Sequence, residues 1–259
     1  MHKHKTYNMN FLGCCNSSLK RIIVFMVESA LIVSVCSQND YLAGSAGSGQ
    51  SAIVDGIGTA SSFSGPSGIA FLAQDVALVS DWSGNSIRLL RFINSSVINV
   101  STVAGMTVSG YQDGRAANAR FNNPAAICAL GNTAAFISDY GNLAIRKLDL
   151  VSKTVTTLVN NSQLAKSSRL RGPRSICLQP DASSLYIADV TIIYRFDLNT
   201  GQMVRLAGSS TIGAFFDGVG TNAYFAGLMG MAMVPDGSRL IVTDVFVQVR
   251  DPAHTRSGA

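Results

Sequence analysis

The stretch that decides the fold is Asp113–Leu150, DGRAANARFNNPAAICALGNTAAFISDYGNLAIRKLDL. It opens on Asp-Gly. A small residue, Ala119, lies six positions after the Asp, Phe121 eight after and Pro124 eleven after. The same offsets recur from Asp55 as Ser61, Phe63 and Pro66, and from Asp217 as Ala223, Phe225 and Leu228. Each Pro or Leu starts a short apolar run: SGIAFLA, AAICAL or MGMAMV. A second run follows, VALVSD, AAFISD or RLIVTD, and ends on Asp81, Asp139 or Asp244. A fourth copy lacks the Asp-Gly but keeps Pro173, SICLQP and LYIAD ending at Asp189. From the Pro (or Leu228) to the terminal Asp the spacing is 15, 15, 16 and 16 residues, and the copies start 58, 49 and 55 residues apart. Periods of this size mark solenoids, propellers or arrays of small units.

The runs are rich in Ile, Val, Leu and Phe, short, and bounded by Gly, Pro, Asn and Asp, which predicts strands and not helices. A third run follows each terminal Asp after a turn: SIRLLRF, AIRKLDL or IIYRFDL. A fourth follows in three copies: VINVSTVAG, TVTTLV or QMVRLAG. Four short antiparallel strands per unit make a propeller blade. With Asp-Gly, a small residue, Phe, Pro, a Gly-Ile-Ala-type strand and a terminal Asp before an Ile-Arg strand, the pattern resembles the NHL-repeat family of β-propellers. The resemblance covers roughly residues 40–250. It implies an all-β propeller of four-stranded blades, about four of them visible. It does not imply one function, because the family mixes enzymes, receptors and RNA-binding scaffolds.

Three segments follow from this reading: a leader at 1–36, the propeller at 37–250 and an irregular tail at 251–259. Leu42-Ala43-Gly44 matches the fourth-strand ends Val103-Ala104-Gly105 and Leu206-Ala207-Gly208. Two outcomes are open. Tyr41-Leu42-Ala43 completes the last blade and closes a four-bladed ring, or the chain is a piece of the six-bladed ring usual in the family. The leader has a basic start and an apolar run from Ile22 to Val35, broken by Glu28. That run is short for a membrane span, which needs about 20 residues. It suits a signal-peptide core, with Ser34 and Cys36 spaced as a cleavage site expects. A cleaved signal, an uncleaved anchor and a mis-assigned start are the alternatives, so the expected location is secreted or at the cell surface.

Of the formal net charge of +5, residues 1–36 carry +3, so the high isoelectric point says little about a nucleic-acid partner. Hydrophobic content of 47% against 14% charged residues favours a packed β fold over disorder. The histidines are His2, His4 and His254, outside the repeats, and no Glu follows Glu28. A hydrolytic triad or a Cys-His pair needs an imidazole. The zinc sites of catalytic NHL propellers use histidine, and lactonase-like propellers typically use a Glu. Neither set is carried over here. Residues 44–51, GSAGSGQS, imitate a phosphate loop, but Gln50 stands where the Walker Lys belongs, so no nucleotide or other cofactor is expected.

The recurring acids Asp81, Asp139, Asp189 and Asp244 sit at strand ends beside turns and are read as turn-holding residues. Asp55, Asp113 and Asp217 are read as loop-closing residues before Gly. Cys128 and Cys177 each lie four residues after their Pro, where the other copies have Ala70 and Ala232. They read as small buried residues, with an inter-blade disulfide left open. Lys166, Arg169, Arg171 and Arg174 replace the Asp-Gly loop of the third copy and form a candidate partner-contact loop for phosphate, an acidic protein or a sulfated glycan. Asn94, Asn99 and Asn160 begin N-glycosylation sequons. The leading expectation is a non-catalytic scaffold that binds a protein or a glycan through inter-blade loops. The alternatives are a lactonase- or hydrolase-like propeller with a metal held by Asp and Asn, and an intracellular RNA-binding scaffold.

Overall fold

The computed structural model describes residues 21–27, 30–36, 45–93, 98–210 and 216–244. Asn94, the segment Tyr41-Leu42-Ala43-Gly44, the three histidines and the tail at 251–259 lie outside the described residues, and so does the ring closure that Tyr41-Leu42-Ala43 would make. Every described sheet is antiparallel and none is closed on itself. Strands β1 (Arg21–Val27) and β2 (Ala30–Cys36), which the sequence places in the leader, form a hairpin. The hairpin pairs with β3 (Ser45–Ala46) through Leu31 and Ile32.

The first complete sheet holds β5 (Pro66–Ala73), β6 (Val76–Asp81), β7 (Ser86–Phe92) and β8 (Ile98–Gly105) in sequential order. The two-residue β4 (Gly56–Ile57) is added beyond β8. The second repeats this plan with β10 (Pro124–Leu130), β11 (Ala134–Asp139), β12 (Ala144–Asp149) and β13 (Thr154–Asn160), edged by β9 (Gly114–Arg115). The third has β14 (Pro173–Leu178), β15 (Ser184–Asp189), β16 (Ile192–Asp197) and β17 (Met203–Gly208), with no added edge strand. The last described sheet has two strands, β18 (Leu228–Met233) and β19 (Leu240–Asp244). All four apolar runs that follow the Pro or Leu are therefore first strands, and all four runs ending on Asp are second strands.

The sheets stack face against face, and the period-2 alternation of side chains explains the sequence pattern. On β6, Ala77 and Val79 point into one core with Ala46 and Phe63, while Leu78 points into the next, with Phe121 and Ile137. On β11, Ala135 and Ile137 face back toward the first sheet, and Phe136 faces Leu185 and Ile187 of the third. The second strands of the first three sheets are thus covered on both sides, and every residue of β11 is buried, whereas β19 of the last described sheet is half exposed. This is why they read as near-continuous apolar runs and not as alternating ones. Phe63 and Phe121, the Phe of the first two Asp-Gly copies, are fully buried between sheets, and Phe225 of the third is partly buried. Burying such a ring stabilises by about 1.5–3 kcal/mol.

Two local devices fix the edges. The fourth strands of the first and third sheets end on Gly105 and Gly208, with φ of 92° and 93°. A Cβ there would lie 2.5 Å from the Asn85 carbonyl oxygen and 2.1 Å from that of Thr191. Third strands end on Asp149 and Asp197. Each accepts two backbone N–H bonds from the following turn, Val151 and Ser152 or Asn199 and Thr200.

Candidate functional site: a cavity between first strands and the anchors that frame it

Four acids that could suggest chemistry are committed to the backbone. Asp81 accepts the Ser64 N–H, Asp139 the Asn122 N–H, Asp189 those of Arg171 and Gly172, and Asp244 those of Ala226 and Gly227. In each case a donor lies two residues before the first strand begins, joined in the last two sheets by the residue after it. The carboxylate ties the end of the second strand to the entry of the first. Burial raises the pKa of Asp81 and Asp139, against the pull of those N–H bonds and of a neighbouring arginine.

That arginine is a feature the sequence displayed without its role being read. Arg88 on β7 and Arg146 on β12 are fully buried. Arg88 donates to Ser62 O at 2.8 Å, to Val54 O at 2.9 Å and to Asp55 at 3.0 Å, and lies 3.6 Å from Asp81. Arg146 donates to Arg120 O at 3.1 Å, Gln112 O at 2.9 Å, Asp113 at 2.6 Å and Asp139 at 2.7 Å. Each guanidinium also lies over the repeat Phe, 5.0 Å from Phe63 or 5.2 Å from Phe121. A planar group with five N–H donors suits this bridging of two carboxylates and two carbonyls. Asp55 and Asp113 also hold the fourth strand, through Thr102 and Thr157. Burial tends to raise the pKa of Asp55, but its bonds from Thr102 and Arg88 outweigh that and lower it.

The third sheet departs from this plan at each point. It has no Asp-Gly loop, and Tyr194 occupies the arginine position. Asp189 has the backbone N–H bonds but no guanidinium on the third strand. Burial pushes its pKa up to about 6, against those N–H bonds and the more distant charge of Arg171. Asn161 supplies a different clamp. Its side chain accepts the Leu170 N–H at 2.7 Å and donates to Leu170 O at 2.8 Å.

The four first strands come together and line a cavity of about 720 Å³. Each first strand carries a register shift just after its opening residue. A bulge re-aims the side chain at the irregularity. The residues immediately after Pro66, Pro124, Pro173 and Leu228 are Ser67, Ala125, Arg174 and Met229, and all four line the cavity. Hydroxyls one residue before the terminal Asp brace three of these bulges. Ser80 donates to Gly68 O at 3.4 Å, Ser138 accepts from Ala126 N at 2.8 Å and Thr243 accepts from Gly230 N at 2.8 Å. The third sheet has Ala188 instead. Ile69, Ile127, Ile176 and Met231 supply apolar wall. The residue after the terminal Asp adds aromatic surface: Trp82, which lines the cavity, packs on Tyr140 with ring centroids 4.9 Å apart.

The proposed basic contact loop is divided by the fold. Lys166 and Arg169 are exposed, the first opening and the second following a short 3₁₀ turn, Lys166–Ser168, between β13 and β14. The Arg171 side chain donates to Ser210 O at 3.1 Å. Arg174 lies on β14, its guanidinium 5.3 Å from the Tyr140 ring centroid and 3.6 Å from Met229 Sδ. Only Arg174 of the four lines the cavity. Cys128 on β10 and Cys177 on β14 are free thiols. Burial pushes the Cys177 thiol up to about 12, and burial together with the neighbouring Cys177 raises Cys128 well above its usual value. Asn99 is exposed on β8. The Asn160 side-chain amide is engaged, donating to the Tyr111 hydroxyl at 2.7 Å. Among the described residues no group of three His, Cys, Asp or Glu side chains could hold a metal ion. Residues 47–50 of the phosphate-loop imitation pack back on the turn before Phe63, with Gly47 N–H donating to Gly58 O at 3.2 Å and to Ser61 Oγ at 3.1 Å.

No family model matches the chain. The chain is 27% identical over 233 residues to the protein Suppressor of Quenching 1, chloroplastic, of Arabidopsis thaliana, which covers 81% of this chain and 22% of that protein. It thus spans about a fifth of the length of the curated relative it matches. An auxiliary nutrient-binding protein of Bacteroides thetaiotaomicron superposes with a TM-score of 0.53 at 15% identity, over 83% of this chain and 50% of that one. The extracellular domain of a one-component system of the same organism gives 0.50 at 9% identity, over 93% and 26%. At these identities the likeness is one of fold, and the chain is an all-β protein of successive antiparallel sheets.

Proposed function

We propose that this chain is a non-catalytic propeller of NHL-type blades, secreted or held at the cell surface, that binds a protein or glycan ligand at the concave face of its first strands. The observation that carries the reading is the cavity of about 720 Å³ lined by one bulged residue from each of four successive sheets. Its volume falls in the range of about 300–1,000 Å³ typical of ligand sites. The invariant parts of the repeat hold backbone, and the parts that differ between copies face the cavity. That division of labour suits a binding frame with interchangeable contacts. A nutrient-binding protein and an extracellular domain as structural neighbours accord with binding outside the cell.

The test is direct binding. Protein produced through a secretory route is passed over immobilised oligosaccharides and folded protein ligands. A Met229→Trp variant, checked for native melting, places an indole in the cavity. Saturable binding that the variant loses supports the reading. Binding unchanged in the variant removes the cavity as the site. One calcium per chain accompanied by lactone or ester turnover would replace the scaffold with the hydrolase-like alternative.

A further inference from the structure

The proposed site has a charge pattern that narrows its ligand. Of the residues lining the cavity, Arg174 alone is charged; the remainder are apolar, glycine or serine. Among the described residues no carboxylate lies within 4 Å of the Arg174 guanidinium; the ion pairs there all belong to Arg88 and Arg146. Its neighbours are a ring face and a thioether, Tyr140 and Met229. Both orient the guanidinium without neutralising it. The Ser67 hydroxyl is occupied with the neighbouring strand, donating to Ala125 O. A guanidinium with no carboxylate partner, exposed at the edge of an apolar cavity, favours one anionic oxygen pair, because its fork matches a carboxylate bidentately. The flat surface is supplied next to it by Trp82 on Tyr140.

We infer that the cavity recognises a compact ring-bearing carboxylate: the acid group pairs with Arg174 and the ring face lies against Trp82. A ring of this kind can be aromatic, as in an aryl carboxylic acid, or a pyranose, as in a uronic acid residue of a glycan. Both present a flat carbon face and one carboxylate. In either case Ser67, Ala125, Arg174 and Met229, the residues after each first-strand opening, are the specificity-determining set. A change at one of them alters selectivity while the second-strand Asp anchors keep the sheet.

This inference rests on the placement of the ligand in the cavity, and the experiment separates the two. Titration calorimetry on the full chain compares each acid with its own uncharged amide, in one arm aryl acetates and benzoates, in the other glucuronate and galacturonate oligomers. Wild-type protein is expected to prefer the acid by on the order of 10- to 100-fold, the loss typical of a missing charge-assisted hydrogen-bond pair. Arg174→Met keeps the apolar stem of an exposed side chain and should bind acid and amide alike. Arg174→Lys should recover part of the preference. The arm that responds identifies the ring. Absence of acid binding in both arms, equal affinity for acid and amide in the wild type, or an undiminished preference in Arg174→Met overturns the inference. If a partner still binds the wild type and is lost in Met229→Trp while acid selectivity is absent, the scaffold reading stands and only the carboxylate assignment falls.

Discussion

Replacing Arg146 with Ala removes a fully buried cation that serves two carboxylates and two carbonyls at 2.6–3.1 Å. The partners differ in what they lose. Asp113 is half exposed and can turn to water, whereas the Asp139 side chain has no exposure at all. Asp139 keeps the Asn122 N–H and the Asn142 side chain, but its charge is left uncompensated. Breaking one side of a buried pair in this way costs about 3–5 kcal/mol, a large part of the roughly 5–15 kcal/mol that holds a domain folded. The loss should depend on pH. Burial already sets the folded pKa of Asp139 above its unfolded value, and removing the arginine raises it further. A group with a raised folded pKa favours folding when protonated, so the variant's deficit is complete above that pKa. It shrinks as pH falls toward the ordinary carboxylate value. Urea unfolding at about pH 8 and about pH 4.5, extrapolated linearly, should show a difference from wild type that is clearly smaller in acid. Asp139→Asn in the Arg146→Ala background should recover about 1–2 kcal/mol at the higher pH, since the buried charge is gone. A loss below about 1 kcal/mol, or a deficit equal at both pH values, would refute the account of Arg146 as a buried charge anchor.

Three further outcomes are expected. With a folded pKa of about 6, Asp189 opposes folding once ionised, so stability should fall by about 2 kcal/mol between roughly pH 4 and pH 6. Asp189→Asn should remove that component of the slope, and denaturation curves across the interval read it. Gly208→Ala places a Cβ against the Thr191 carbonyl in a left-handed backbone and should cost at least about 2 kcal/mol, whereas the same change at Gly201, whose surroundings are open, should cost about 1 kcal/mol, read as a difference in denaturant midpoint. In a secretory host, glycan occupancy measured by mass spectrometry should be higher at Asn99, which is exposed, than at Asn160, whose amide nitrogen is held by Tyr111. Tyr111→Phe should raise occupancy at Asn160.

The strands were legible because their signal is local. Apolar runs of fixed spacing ended by Pro and Asp give the first two strands of each sheet, and the structure places them so. That the terminal Asp serves the backbone was also legible, but its partners were not: the acids were read as holding the turn beside them, and they instead accept N–H groups just before the first strand. Arg88 and Arg146 were visible as the second half of Ile-Arg, but a lone charge on a short strand reads by default as a solvated face. The overlooked signal was co-occurrence: the arginine stands where Asp-Gly stands, and Tyr194 where Asp-Gly is missing. The cavity was less legible, because a bulge changes which way a side chain points without changing the spacing around it. Arg174 was grouped with Lys166, Arg169 and Arg171 by proximity in sequence. A one-residue register shift after Pro173 separates it from them in space.

The third sheet shows why its departures come as a set. An arginine at position 194 would be buried without the Asp-Gly carboxylate that half-neutralises Arg88 and Arg146. An unpaired buried cation costs more than the aromatic ring that stands there. With neither arginine nor Asp-Gly, the loop before β14 needs another hold, and the two bonds between Asn161 and Leu170 supply it. Asp189 then carries the strand entry alone, through the N–H groups of Arg171 and Gly172. Gly172 sits against the Tyr140 ring, where even a Cβ would come within 3.0 Å. Two residues further on is Arg174, which lies over the same ring. The sheet with the weakest electrostatic anchoring therefore delivers the cavity's charged residue, and the bonds that position it end on a carboxyl whose pKa is about 6. If Arg174 reads the ligand, ionising the buried Asp189 loosens the segment that aims it, because an opened segment returns the carboxyl to water and to its ordinary pKa. Wild-type affinity for the acid should then weaken as pH rises through about 6, beyond what the ligand's own titration explains, and Asp189→Asn should bind with an affinity that no longer varies over that interval.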